Sequence, residues 1–234
     1  VAVKFDPKKS ALIIQDLQND VIMPGGAFTK PDASPAEHAK KQNVVGNVKA
    51  LASAARAAGM PVIHVWYIVE PGAAGLKQNA PLFQAVKATK GLVRGSHGAA
   101  PVKGLEARKG DHVVEKTRMN AFHGTNLDNL LRGLGAESVV ITGAWTNFSI
   151  EHTARHAADA GYHAIVVTDG TSTINDDWQN AALNYALVNI ADRASTKEVL
   201  AVLQRGRARK PAARKPAAAA KPRAAARRRT AARK

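Results

Sequence analysis

Apolar residues along this chain fall into short, nearly unbroken blocks, separated by longer stretches in which they recur every three or four positions. The blocks are ALIIQD (Ala11–Asp16), PVIHVWYIV (Pro61–Val69), HVVEK (His112–Lys116), SVVITG (Ser138–Gly143) and HAIVVTD (His163–Asp169). Each has the length and β-branched content of a strand, and continuous rather than alternating apolar character predicts burial on both faces. Helical spacing runs over Pro35–Ala58, Thr125–Leu134, Phe148–Ala160 and Asp176–Ile190, with Gly59, Gly135 and Gly161 standing where helices commonly stop. Strand alternating with helix predicts an α/β fold, a mostly parallel sheet wound with helices on both faces. The segment Glu70–Gly110 is rich in Gly, Ala, Lys and Pro and lacks a period, so it reads as a long excursion over the active face or into an oligomer interface.

Charge changes this picture only at the C-terminal end. Of 34 Lys and Arg residues, set against 18 Asp and Glu, 13 fall within 205–234, where there is no acid, so positions 1–204 are nearly balanced. Scattered prolines, low complexity and no aromatic residue predict that 205–234 is a disordered basic tail appended to one domain, 1–204. Such a tail would bind nucleic acid or another polyanion non-specifically, by counterion release, and has no aromatic residue on which to stack a base. The competing reading is a solubilising extension. The absence of cysteine excludes disulfides, thiolate metal sites and a thiol nucleophile. No apolar run reaches the roughly 20 residues of a membrane span, and VAVKFDPKKS lacks the order of a secretion signal. The expectation is a cytoplasmic protein without membrane contact, associated with the nucleoid if the tail binds nucleic acid.

In open parallel sheets, ligands bind beyond the C-terminal ends of the strands, near the point where strand order reverses. Asp16 closes the first predicted strand, Lys116 the third, and Ser149 follows the fourth, where Gly143–Asn147 turns towards a helix. A carboxylate, an ammonium and a hydroxyl thus arrive at one edge from three distant regions. Taken singly, the first is an ordinary turn former, the second a solvated cation and the third a helix cap.

The surrounding motifs carry more. ALIIQDLQNDVIMPGGAF, VVEKTRMNAFHGTNLDNLLRGLG and VVITGAWTNFSIEHTARHAADAGYHAIVVTDGTST together resemble, in order and spacing, the isochorismatase-like or cysteine hydrolase superfamily over most of positions 10–175. The resemblance implies a three-layer α/β/α fold around a six-stranded sheet, assembled as a homo-oligomer, a dimer or tetramer; no cofactor is expected. It maps the family's catalytic Asp and Lys onto Asp16 and Lys116, and its nucleophilic Cys onto Ser149. It also implies a cis peptide at Ala144–Trp145 and an oxyanion hole made by the amides of Trp145 and Ser149.

Serine at that position alters the chemistry. A thiol near pKa ~8.5 gives its proton to a buried carboxylate far more readily than an alcohol does, and each unit of mismatch costs about 1.4 kcal/mol. Three readings of Ser149 follow: a nucleophile whose proton passes to Asp16 only as the C–O bond forms, an engineered replacement of the usual cysteine made to trap a ligand, or no nucleophile, with Asp16 acting directly as acid or base. The third resembles the family's isochorismatases, which split a vinyl ether without a covalent intermediate. HGTNLDNLL and Trp-Thr-Asn resemble the amidase branch, so hydrolysis of a small non-peptide C–N bond in an amide, ureide or carbamoyl compound ranks first. Vinyl ether cleavage, or a scaffold without turnover tied to nucleic acid by its tail, are the alternatives.

The remaining candidates are secondary. Arg118 could pair with a substrate carboxylate, and Phe122, His123, Trp145 and Asn147 are expected to line the pocket or bind substrate. Asp32, His38 and His64 are too scattered to match the metal motif of nicotinamidase-type relatives, and no metal is expected. His152 and His156 have the four-residue spacing of zinc ligands but lack a neighbouring Glu, and read as a helix face or subunit contact.

Overall fold

The computed structural model describes residues 3–29 and 34–208. Six strands form one sheet: β1 (Ser10–Gln15), β2 (Val62–Tyr67), β3 (His112–Lys116), β4 (Ser138–Ala144), β5 (His163–Ser172) and β6 (Asp192–Ala194). Their order is β3-β2-β1-β4-β5-β6, and every pairing is parallel. The direction of winding reverses between β1 and β4, so the crevice at their C-terminal ends is where a ligand site is expected.

Strand geometry divides the core in two, because successive side chains point to opposite faces. On one face Leu12, Ile14 and Val140 pack with Val48, Leu51 and Ala55 of α3 (Val44–Ala58) and Val199 of α8 (Thr196–Ala208). On the other, Ala11, Ile13, Val139 and Ile141 meet Leu127 and Leu131 of α5 (Leu127–Gly133) and Ala154 and Ala157 of α6 (Glu151–Asp159). This is the three-layer α/β/α arrangement. β1 and β4 are central and buried throughout, as their apolar blocks predict, whereas β3, expected to be buried on both faces, has alternating exposure because it forms an edge. Burying each large aliphatic side chain contributes about 1.5–3 kcal/mol.

The structure departs from the sequence pattern at several points. β6 has only three residues, two of them charged and exposed, so it gives no apolar block. The helical stretch Pro35–Ala58 is two helices, α2 (Pro35–Lys41) and α3, broken at Asn43, whose φ is +52°. The stretch from Asp176 holds a six-residue helix, α7 (Asp176–Ala181), which widens into a π turn over Ala182–Ala186. Within the excursion 70–110 lies a helix, α4 (Pro81–Thr89), begun by its proline, and β-bridges at Val69–Val93 and Gln18–Pro101 pin the segment to the domain. Helix α8 runs past position 204 to Ala208, beyond the boundary at which the tail is expected to start, and 209–234 lie outside the described residues. No described helix is long and apolar enough to cross a membrane.

Candidate active site

Each group at the site is delivered by the end of a strand. Asp16 leaves β1 with φ +54°, a left-handed conformation that aspartate tolerates better than most residues, while its amide still donates to Val65 O at 2.8 Å. β4 ends in a cis peptide between Ala144 and Trp145, and a π turn over Thr146–Ile150 then carries Ser149 into α6. Gly143, with φ +128°, lies so close to β1 that a Cβ there would sit 1.9 Å from Gln15 O. A residue without a side chain is what lets the two central strands meet behind the site.

Lys116 brings the three groups together. Its Nζ donates to Asp16 Oδ2 at 2.8 Å, to the Arg118 carbonyl at 2.9 Å and, at a longer 3.4 Å, to Ser149 Oγ, and it stands 4.7 Å from the centre of the Tyr67 ring. The Lys116 side chain is 0% exposed and that of Asp16 5%. Burial pushes the Asp16 carboxyl up from its usual range, opposed by Lys116, Ser149 and Gln15, and pushes the Lys116 ammonium down, opposed by Asp16. Asp16 Oδ1 is buried without a partner among the described residues, which leaves one carboxylate oxygen free to take a proton or accept a hydrogen bond.

Asp16 and Ser149 line one pocket enclosing about 420 Å³, part of it open to solvent, with apolar walls that include Phe28, Leu82, Leu92, Met119, Trp145 and Phe148. Trp145 thus stands where the sequence motif puts it, and its Nε1 donates to Val21 O at 3.4 Å. The excursion 70–110 supplies Leu82 and Leu92, so it does cover this face of the sheet.

Four expected pocket residues are elsewhere. Arg118 lies flat on Phe83, 3.4 Å from the ring centre, and donates to Lys77 O and Asn79 Oδ1 at 2.8 Å each, so its fork is occupied by the excursion instead of facing a substrate. Phe122 is buried and stacked on His156, with ring centres 4.6 Å apart. His123 is exposed on the next turn and does not line the pocket. Asn147 Oδ1 accepts from Thr173 Oγ1 at 2.5 Å, which ties the π turn to β5's end. His152 and His156 lie on an exposed helix face, the first against Phe148 O and the second against Asn120. His38 faces Asp176 and His64 faces Asp111, on different elements, and Asp32 lies outside the described residues. Among the described residues no three His, Cys, Asp or Glu gather in a way that could hold a metal.

Sequence reasoning passed over two contributors. Gln15 is fully buried, and its amide donates to the carbonyls of Ser149 and Met119, both at 3.2 Å, fixing the turn that carries Ser149 to β1. Its signal was available, since a polar residue inside an apolar central strand must find partners. Tyr67, within the second apolar block, lies beneath Lys116 and donates to Thr117 O at 2.8 Å. Burial and the neighbouring Asp16 charge hold its hydroxyl above the usual tyrosine range.

Comparison with known proteins agrees with this architecture. The fold is similar to a cysteine hydrolase from Pseudomonas syringae pv. phaseolicola 1448A, with TM-score 0.76 and 23% identity over 88% of this chain and 98% of that one. An isochorismatase family protein from Burkholderia thailandensis is 30% identical, with TM-score 0.71, over 87% of this chain and 100% of its own. N-carbamoylsarcosine amidase from Thermoplasma acidophilum is 25% identical, with TM-score 0.62, over 80% and 96%. The Isochorismatase domain family matches residues 10–200, which include all six strands and the paired Asp16 and Lys116. With that span and this sheet order, the chain belongs to the isochorismatase family of hydrolases.

Proposed function

We propose that the chain hydrolyses a small-molecule, non-peptide C–N bond, with Ser149 as nucleophile. The observation that carries the reading is the position of Lys116 Nζ, in reach of both Asp16 Oδ2 and Ser149 Oγ at the edge of a pocket that Asp16 and Ser149 share. As Ser149 Oγ bonds to the substrate carbonyl carbon, its proton passes to Asp16, and the amides of Trp145 and Ser149 receive the developing oxyanion. Collapse breaks the C–N bond, the amine leaves with the proton held by Asp16, and water then hydrolyses the acyl ester. Lys116 remains charged throughout and offsets the negative charge that moves between carboxylate and oxyanion. Burial of Asp16 narrows the proton-affinity gap to the alcohol, which is what a serine in this role requires. The likeness to N-carbamoylsarcosine amidase supports C–N over C–O cleavage.

A second reading has Asp16 act directly on a vinyl ether, favoured by the same burial, which makes a protonated carboxyl easier to keep. Release of ammonia from a panel of small amides and ureides, and of the carbonyl product from a vinyl ether, each compared with Ser149→Ala, decides between them. The covalent reading expects turnover to fall by about 10³-fold or more with binding retained. Near-normal turnover in the variant would assign the chemistry to Asp16 and water.

A further inference from the structure

The polar groups around the pocket can be accounted for one by one. Trp145 Nε1 is bonded to Val21 O, Tyr67 Oη to Thr117 O, and the Gln15 amide nitrogen to two backbone carbonyls. The Gln18 amide nitrogen donates to Tyr67 O and Ala99 O, and its carbonyl accepts from Tyr67 N. Arg118 is turned away onto the excursion, and Lys116 is bound to Asp16. Gln15 Oε1 has no partner, but Gln15 does not line the pocket. Among the described side chains that do line it, this leaves Asp16 Oδ1 without a partner and Ser149 Oγ with only long contacts, from Lys116 Nζ at 3.4 Å and to Met119 Sδ at 3.5 Å, both at the reacting end. No Lys, Arg or His is among those lining residues; the rest of the wall is aliphatic, aromatic or thioether.

From this accounting we infer that the site takes primary amides whose acyl portion is uncharged and apolar, and rejects amides that carry a carboxylate at their far end. The inference rests on the C–N hydrolase reading for its reaction, but not for its binding preference. An apolar acyl group gains from leaving water against these walls. A distal carboxylate held against these walls would give up hydration with no cationic donor among the described lining residues to replace it. The excursion helix α4 supplies the selecting surface, since Leu82 and Val86 face the ligand while Phe83 is held under Arg118.

The test compares benzamide with its 4-carboxylate, two probes that differ only in the far substituent. Binding to Ser149→Ala is read by calorimetry, which does not depend on turnover, and ammonia release is read with the unaltered chain. Benzamide should bind at least about tenfold more tightly than the carboxylate. Leu82→Arg, at a half-buried position on α4, should bring the carboxylate level with benzamide or above it. Equal or tighter binding of the carboxylate to Ser149→Ala, or no binding of either probe, would overturn the inference. Benzamide that binds with the stated preference and releases no ammonia would leave the binding preference standing and overturn the hydrolytic reading.

Discussion

Lys116 Nζ and Asp16 Oδ2 lie 2.8 Å apart, although 100 positions separate the residues in sequence and both side chains are almost wholly removed from water. A buried pair of this kind is sustained by mutual compensation more than by net attraction, because each charge gives up its hydration to enter. Removing one member therefore does more damage than removing both. Lys116→Met should destabilise the domain by about 3–5 kcal/mol, by leaving a buried carboxylate unpaired. Adding Asp16→Asn to it should recover a large part of that loss. Urea denaturation of the single and double variants gives the comparison, and equal destabilisation by both would contradict it.

Asp111 provides the sharpest pH signature. Burial alone would raise its carboxyl, but the Arg56 fork at 3.0 and 2.6 Å, the Arg108 amide and His64 outweigh it and hold the pKa near about 2. A carboxyl depressed from 3.8 contributes stability that is complete above about pH 4 and is lost as pH falls towards 2. Asp111→Asn should cost about 2 kcal/mol at neutral pH. The gap between the two proteins should close on acidification; a gap independent of pH from 6 to about 2 would show that the carboxylate is not the source.

Gly143→Ala should be among the most damaging single-methyl additions in the chain. Its Cβ would meet Gln15 O at 1.9 Å, on a backbone with φ +128°, and the atom struck is main chain in a central strand. A loss of at least about 3 kcal/mol is expected, read as a large fall in melting temperature. The same change at Gly135, where a Cβ would meet nothing within 4 Å, should carry only the cost of its φ of +67°.

Arg118→Ala tests whether that guanidinium serves the substrate or the excursion. Loss of its stacking on Phe83 and of its bonds to Lys77 and Asn79 should loosen α4 over the pocket. KM should then rise several-fold for neutral amides, and proteolysis within 77–90 should accelerate. An effect confined to carboxylate-bearing substrates would return Arg118 to the recognition role that its position two residues after Lys116 suggests.

The meeting of Asp16, Lys116 and Ser149 at one sheet edge was readable from sequence, and the directions of the side chains around them were not. Asp16, Lys116 and Ser149 each follow a strong apolar block, and a parallel sheet sends the ends of such blocks to one edge. The four strands that carry or support them are visible for the same reason. β6 was hidden because an edge strand of Asp-Arg-Ala has no hydrophobic pattern to show, although the family resemblance required a sixth strand. Arg118, Phe122, His123 and Asn147 were placed by adjacency to a motif, but adjacency does not fix direction. In each case a partner distant in sequence, Asn79, His156 or Thr173, or simple outward orientation, decided where the side chain went. One wall of the pocket, Leu82, Val86 and Leu92, comes from an aperiodic segment whose helix is short and begins at a proline, so no repeat in the chain announced it.

The placement of β1 between β2 and β4 also bears on how the domain is made. β2 follows within about fifty residues, but β4 does not begin until Ser138, so a nascent chain exposes one bare edge of a buried central strand while more than a hundred further residues are made. Chains that stall or are cut before Ala144 would present that edge to one another, making aggregation of truncated products, in place of slow turnover, the first symptom of incomplete translation.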